Sequence, residues 1–123
     1  MNSDTTLRSQ WDAYGDLWTV TDEAARRAAS DGVLDPGCTY TDPTIHAAGV
    51  DAIMEYMTGF QQNMPGGHFV TRSFVEHHDR SLASWDLALG DGTVVGTGAS
   101  FATYDTDGKL TSMTGFFDAP TEP

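Results

Sequence analysis

The second half of the sequence constrains the fold most, because it contains four consecutive segments with the composition of β-strands. They span residues 68–78, 81–89, 93–104 and 109–118, and each is rich in β-branched and aromatic side chains. Three short stretches typical of hairpin turns separate them: Asp79-Arg80, Gly90-Asp91-Gly92 and Asp105-Thr106-Asp107-Gly108. The sequence therefore predicts a four-stranded antiparallel meander, one face of which must be covered by other elements.

The first half of the sequence supplies helices for that purpose. Leu7, Trp11, Tyr14 and Trp18 recur at spacings of four, three and four, which predicts an amphipathic helix with Ser3 or Asp4 as N-cap. A second helix is predicted over residues 24–30 and a third over residues 50–64. These helices and the meander together predict an α+β fold.

Between the second and third helices lies a short strand, Cys38–Asp42, that ends in an acid-proline turn. Asp35-Pro36-Gly37 predicts a turn before this strand, and Ile45-His46 after it fits either a short strand or a loop. Pro43 biases Asp42 toward an extended conformation, which presents its carboxylate at the border between core and loop.

Composition excludes several classes of function. The 123 residues fit a single domain, 1–123, and carry a formal net charge of −12, which repels phosphate backbones and anionic membranes. No apolar run is long enough to span a bilayer, and the N-terminus shows no secretory signal. Cys38 is the one cysteine, so an internal disulfide is excluded and a cytoplasmic location is expected. Cys38 itself is expected to be a buried small hydrophobe.

The uncovered face of the sheet predicts a partner. That face would carry Arg72, Glu76 and several Ser and Thr side chains among apolar ones. Since long strands need a second face that is either buried or polar, we expect a homodimer formed through the open sheet face.

The order of these elements and the residues at their joints resemble the NTF2-like superfamily, most closely its SnoaL-like and ketosteroid-isomerase-like members. The matching features are the aromatic first helix, Tyr40-Thr41-Asp42-Pro43, the helix opening Gly49-Val50-Asp51-Ala52-Ile53, Trp85, and Asp107-Gly108-Lys109-Leu110 leading into Met113-Thr114-Gly115-Phe116-Phe117. The resemblance implies a cone-shaped α+β barrel, in which three N-terminal helices pack on a curved antiparallel sheet around a pocket.

The resemblance also implies candidate catalytic residues. Asp42 matches the proton-shuttling base of ketosteroid isomerases, a role in which desolvation would raise the carboxyl pKa; the alternative is a carboxylate that caps its own turn. Tyr14, eight residues before Asp22, matches the tyrosine that donates a hydrogen bond to the oxyanion, or is a core aromatic. Ser100 stands where those relatives have a second acid, and a hydroxyl cannot replace an acid near neutral pH.

Histidines are the possible substitutes for the missing acid. His77 and His78 are adjacent on a predicted strand and point to opposite faces, so one of them could enter the pocket; strand phase does not decide which. A zinc site from Asp42, His46 and one of this pair lacks a ligand spacing, so no metal is expected. Candidate substrate-binding residues are Trp18, Met54, Met57, Trp85, Ser100, Phe101 and Phe117.

Two functions remain open at the level of sequence. The first is a cofactor-free acid/base enzyme of the isomerase, polyketide cyclase or dehydratase type, acting on a small, hydrophobic, cyclic molecule. The second is a non-catalytic domain that binds a ligand or another protein. An open pocket containing Asp42 favours the first, and a collapsed interior with Asp42 bonded to backbone amides favours the second.

Overall fold

A computed structural model describes residues 7–117, which form three helices and six strands. In chain order these are α1 (Leu7–Leu17), α2 (Glu23–Ser30), β1 (Leu34–Asp42), β2 (Ile45–Ala48), α3 (Val50–Asn63), β3 (His68–His77), β4 (Arg80–Ala88), β5 (Val94–Tyr104) and β6 (Leu110–Phe116). The strands make one sheet in the order β2-β1-β6-β5-β4-β3. Ser3, Asp4 and the tail after Phe117 lie outside the described residues.

The predicted meander is confirmed, because β3, β4, β5 and β6 pair in sequence, each antiparallel to the next. Two features of the expected sheet are wrong. β1 runs parallel to β6, so the sheet is mixed, and the β1–β2 hairpin precedes α3, so only two of the three helices are N-terminal to the sheet. Strands in parallel need a long crossover, and here α3 and three strands of the meander separate β1 from β6 in the chain.

The first strand is longer than the sequence indicates. Asp35-Pro36-Gly37, expected as a turn, lies inside β1 as an irregularity, where the register with β6 shifts between Leu34 and Thr39. The Gly37 amide donates to the Asp35 side chain, so the turn chemistry acts locally without ending the strand. Ile45-His46 belongs to a strand, β2.

The core fills the space between the helices and one face of the sheet. Its largest fully buried apolar side chains come from α1, α3, β1 and β6: Leu17, Ile53, Met54, Met57, Cys38, Leu110 and Met113. Burial, together with the nearby Asp35 charge, raises the pKa of the Cys38 thiol to about 11, which fits the expected inert, buried cysteine.

One arginine is buried in this apolar region. Arg26 on α2 is 1% exposed, and its guanidinium donates to the Val20 and Met54 carbonyls and to the Thr58 hydroxyl. It thereby joins the α1–α2 connection to α3, which forms one wall of the site described below. Among the described residues, no helix is long and apolar enough to cross a membrane.

Candidate functional site

A cavity of about 1120 Å³ lies between the helices and the sheet. Residues of α1, α3, the meander and the end of β1 line it. Nine aromatic side chains of the described residues contribute to its wall: Trp11, Tyr14, Trp18, Tyr40, Tyr56, Phe60, Phe69, Trp85 and Phe117. The interior of the fold is therefore open, and its lining is largely apolar and aromatic.

Trp18 lies at the centre of the aromatic wall. Its ring centroid is 5.7 Å from that of Tyr40, 5.8 Å from that of Tyr56, 5.3 Å from that of Phe60 and 5.5 Å from that of Phe69. Most of these contacts are edge-to-face, the arrangement that the ring quadrupoles favour. The rings thus support one another around the cavity.

Asp42 is the acidic group embedded in this wall, and its side chain accepts five hydrogen bonds. Oδ1 accepts from the Thr44 amide (2.8 Å), the Thr44 hydroxyl (2.9 Å) and the Ile45 amide (3.1 Å). Oδ2 accepts from the phenols of Tyr40 (2.6 Å) and Tyr56 (2.9 Å). One oxygen therefore closes the acid-proline turn, while the other is held between two tyrosines of the cavity wall.

These hydrogen bonds shift the pKa of Asp42 in the direction opposite to the one expected. Burial alone would raise the carboxyl pKa, but the bonds from Tyr40, Thr44 and Tyr56 outweigh it and lower the pKa below its ordinary value. The expectation that desolvation raises this pKa is wrong. Burial, and donation to Asp42, raise the pKa values of Tyr40 and Tyr56, so at neutral pH an ionised carboxylate faces two neutral phenols.

Ser100 lies on β5, two strands away from β1, and it lines the cavity from the same side of the sheet as Asp42. It pairs with Gly115 on β6, and its hydroxyl accepts a hydrogen bond from Trp85 Nε1 at 3.0 Å. A Cβ at Gly115 would lie 3.6 Å from Asp42 Cβ and 3.8 Å from Ser100 Oγ. Asp42 and Ser100 therefore flank a residue without a side chain, which leaves both of them open to the cavity.

Tyr14 also lines the cavity from α1, as predicted. Its phenol is buried, and burial raises its pKa, so it is neutral and can act only as a hydrogen-bond donor or acceptor near neutral pH. Of the candidate site residues, the structure brings together Asp42, Tyr14, Trp18, Trp85, Ser100 and Phe117.

The remaining candidates lie elsewhere. His77 and His78 are exposed at the β3–β4 hairpin, where His78 has a φ of +55°, and neither lines the cavity, so the expectation that one enters the pocket is wrong. Hairpin geometry turns both rings outward, where their Nδ1 atoms lie 3.1 Å apart. Within residues 7–117 no group of three or more His, Cys, Asp or Glu side chains could hold a metal.

Three apolar candidates also lie outside the cavity lining. Met54 and Met57 lie on the face of α3 that packs into the core and do not reach the cavity. Phe101 is on the outer face of the sheet, because it pairs with the exposed Leu82.

The prediction that Glu76 lies on the outer face of the sheet is wrong. Glu76 pairs with the buried Ser81 and therefore lies on the inner face.

The two tyrosines that bind Asp42 were missed in the sequence. Tyr40 could have been found, because residues two apart on a strand point to the same face. Tyr56 lies on α3, fourteen residues after Asp42, and no local pattern connects the two.

The family model described as SnoaL-like domain matches residues 10–113. The chain belongs to the SnoaL-like domain family. A search of curated proteins finds no match.

Solved structures share this fold. A protein from Agrobacterium tumefaciens, provisionally named an isomerase of the SnoaL-like family, is 25% identical with a TM-score of 0.83, over 91% of this chain and 97% of that one. An NTF2-like protein of unknown function from Cytophaga hutchinsonii is 18% identical with a TM-score of 0.71, over 96% and 95% of the two chains. A provisionally named SnoaL-like polyketide cyclase from Jannaschia is 14% identical with a TM-score of 0.70, over 96% and 92%. The NTF2-like resemblance of the sequence is thereby confirmed.

Proposed function

We propose that this SnoaL-like protein binds a small, cyclic, largely hydrophobic molecule in the aromatic cavity. The observation that carries the proposal is the cavity itself: about 1120 Å³ walled by nine aromatic side chains. Drug-sized ligands bind in concave, mostly apolar sites of roughly 300–1,000 Å³ that contain a few fixed polar groups, and this cavity is slightly larger than that range. Here the fixed groups are Asp42, with its two tyrosines, and Ser100.

Glycines in the helices allow a direct test of this proposal. Gly15 on α1 lines the cavity, and a Cβ there would meet no atom of a neighbouring element within 4 Å. The Cβ of a leucine at this position would have free space, the rest of its side chain would take up cavity volume, and leucine is a better helix former than glycine. We expect Gly15→Leu to weaken binding of 1-methylnaphthalene at least tenfold, about 1.4 kcal/mol, as measured by titration calorimetry.

The matched control is Gly59→Leu. Gly59 is also inside a helix, and a Cβ there would likewise have free space around it, but the residue lies outside the lining of the main cavity. We expect Gly59→Leu to bind the probe like the wild type. Equal affinities for Gly15→Leu and Gly59→Leu would contradict binding in the cavity.

Proton transfer by Asp42 is the second candidate function. It is favoured by the position of Asp42 on the cavity wall and by the relative from Agrobacterium tumefaciens that is provisionally named an isomerase. It ranks second because the lowered pKa of Asp42 makes the carboxylate a weak base toward carbon acids. The two backbone amides on Oδ1 also fit a structural role for the carboxylate.

If the protein has isomerase, cyclase or dehydratase activity, Asp42→Asn should remove most of it, roughly 10²-fold or more in kcat, as loss of a general base does. Asn can still accept the turn hydrogen bonds through its side-chain oxygen, so the fold is expected to survive. Steady-state kinetics on any substrate found by screening provide the measurement. Full turnover by Asp42→Asn would contradict the assignment of Asp42 as base.

The proposal extends to a homodimer through the outer face of the sheet. Val75, Leu82 and Phe101 are neighbours across β3, β4 and β5, and Phe116 lies on the same face of β6. All four are exposed, and we call them the outer apolar patch. A contiguous apolar patch on a sheet face is typical of an interaction surface.

Leu82→Glu should convert this dimer to a 13.2 kDa monomer, because a charge at the centre of the outer apolar patch would be buried without a partner. Val94→Glu is the control, since Val94 is 49% exposed against 50% for Leu82 but lies at the β4–β5 hairpin. Light scattering coupled to size exclusion measures the mass. A monomeric wild-type protein, or a dimeric Leu82→Glu variant, would contradict the proposal.

A further inference from the structure

The charges around the cavity are unbalanced. Among residues 7–117, four charged side chains line it: Arg8, Asp12, Asp16 and Asp42. Arg8 pairs with Asp12 at 3.1 Å, which uses the one basic side chain of the lining. Asp16 and Asp42 are left without a cationic partner in the lining, and the formal net charge of −12 adds a negative potential from the rest of the molecule.

Asp42 is the member of this set that a bound molecule would meet inside the cavity. It is 8% exposed, and its five donors are two backbone amides, one alcohol and two phenols, all of them neutral. These groups stabilise the carboxylate in its ionised form without cancelling its charge. The interior of the cavity therefore keeps a net negative charge.

The rings nearest to this carboxylate present suitable surfaces to a cation. Tyr40 and Tyr56 bind Oδ2, their ring centroids are 5.4 Å apart, and Trp18 lies within 6 Å of both. The faces of tryptophan and tyrosine attract a cation within about 6 Å of the ring centroid, and more strongly when water is excluded. Three aromatic rings and one carboxylate thus surround the same part of the cavity.

The charge of Asp42 discriminates between classes of ligand. A neutral apolar molecule would leave that charge unbalanced and gain nothing from it, because the carboxylate oxygens already accept five hydrogen bonds from the protein. An anion would add repulsion from Asp42 and Asp16. A cation would bring an opposite charge close to the carboxylate, in a site where electrostatic attraction is stronger than in bulk water.

We propose that the ligand of this cavity is a cyclic molecule that carries a positive charge, as a protonated or quaternary nitrogen, and that Asp42 with Tyr40, Tyr56 and Trp18 forms the subsite for that charge. This inference rests on the proposed binding function and names the ligand class. The nitrogen lies against the aromatic faces and opposite Oδ2, while the hydrophobic ring contacts the part of the wall formed by Phe69, Trp85 and Phe117.

Three probes of nearly equal size and shape test the proposal by titration calorimetry on the full chain. They are N-methylquinolinium (a cation), 1-methylnaphthalene (neutral) and 1-naphthoate (an anion). We expect the cation to bind at least tenfold more tightly than the neutral probe, and the anion to bind most weakly. Equal or tighter binding of the neutral probe or the anion would overturn the inference while leaving the binding function intact, whereas binding of none of the probes would overturn both.

The variant Asp42→Asn tests whether Asp42 causes the preference for the cation. The variant should lose the preference for the cation, so that N-methylquinolinium and 1-methylnaphthalene bind to it with affinities within about twofold of each other. Asp107→Asn is the control, because it removes one acidic charge from an exposed turn outside the cavity lining and should leave the preference unchanged. A cation preference that survives in Asp42→Asn would overturn the role of Asp42. The ratio measured on the wild-type protein decides the ligand class even if Asp42→Asn does not fold.

Discussion

Replacement of Arg26 by alanine should lower the free energy of unfolding by about 3–4 kcal/mol, because it removes the four hydrogen bonds that a buried guanidinium donates, two of them to the Val20 carbonyl. The guanidinium donates to Val20 O at 2.6 and 3.0 Å, to Thr58 Oγ1 at 2.7 Å and to Met54 O at 3.3 Å. Without it, the partly buried Val20 carbonyl loses the two nitrogens that donate to it, whereas the Met54 carbonyl still accepts from the Thr58 hydroxyl. The loss also removes the contact between the α1–α2 connection and α3.

The adjacent residue provides the control for this prediction. Arg27 lies on the same helix, its side chain is 51% exposed, and it pairs at 2.7 Å with Asp51, whose side chain is 89% exposed. Exposed pairs of this kind contribute little, so Arg27→Ala should change stability by less than about 1 kcal/mol. Urea denaturation followed by tryptophan fluorescence measures both variants. Similar losses for Arg26→Ala and Arg27→Ala would contradict the structural role of the buried guanidinium.

Replacement of Gly98 by alanine should cost about 2–3 kcal/mol, because the site is already filled by the ring of Trp85. A Cβ at Gly98 would lie 2.5 Å from two ring carbons of Trp85 and 2.8 Å from the Phe116 carbonyl oxygen. The ring must move, and its hydrogen bond to Ser100 must lengthen or break. The variant should therefore also change the shape of the cavity, which Trp85 lines.

Gly96 serves as the control for Gly98. It lies two residues earlier on the same strand and the same face, and a Cβ there would meet no atom within 4 Å. Gly96→Ala should be close to neutral, or slightly stabilising through the unfolded state. Thermal unfolding compares the two variants. Equal unfolding temperatures for Gly98→Ala and Gly96→Ala would contradict the prediction that Trp85 leaves no room for a Cβ at residue 98.

Local chemistry explains the parts of the fold that the sequence predicted. The meander follows from short turns such as residues 105–108, where Asp105 Oδ1 accepts from the Asp107 and Lys109 amides. The second helix begins where Asp22 accepts from the Ala25 amide. Each of these signals lies within a few residues of the structure that it determines.

Features that depend on distant residues could not be predicted in this way. The pairing of β1 with β6 joins residues more than seventy positions apart, and no local pattern encodes it. The pKa of Asp42 is another case: an acid-proline turn beside an apolar pocket indicates a raised pKa, but the phenol of Tyr56, supplied by α3, helps to lower it. The alternation of side chains along a strand did not predict the positions of His77 and His78, because the hairpin turns both rings to solvent.

The central claim is that the aromatic cavity is a ligand site, and the three tryptophans of the chain report on it together. Trp11, Trp18 and Trp85 all line the cavity, so the indole N–H signals in a proton–nitrogen correlation spectrum should number three, each from the cavity wall. Titration with N-methylquinolinium should shift all three signals with one common saturation curve. Unchanged indole signals at concentrations where calorimetry detects binding would place the ligand elsewhere and contradict the account.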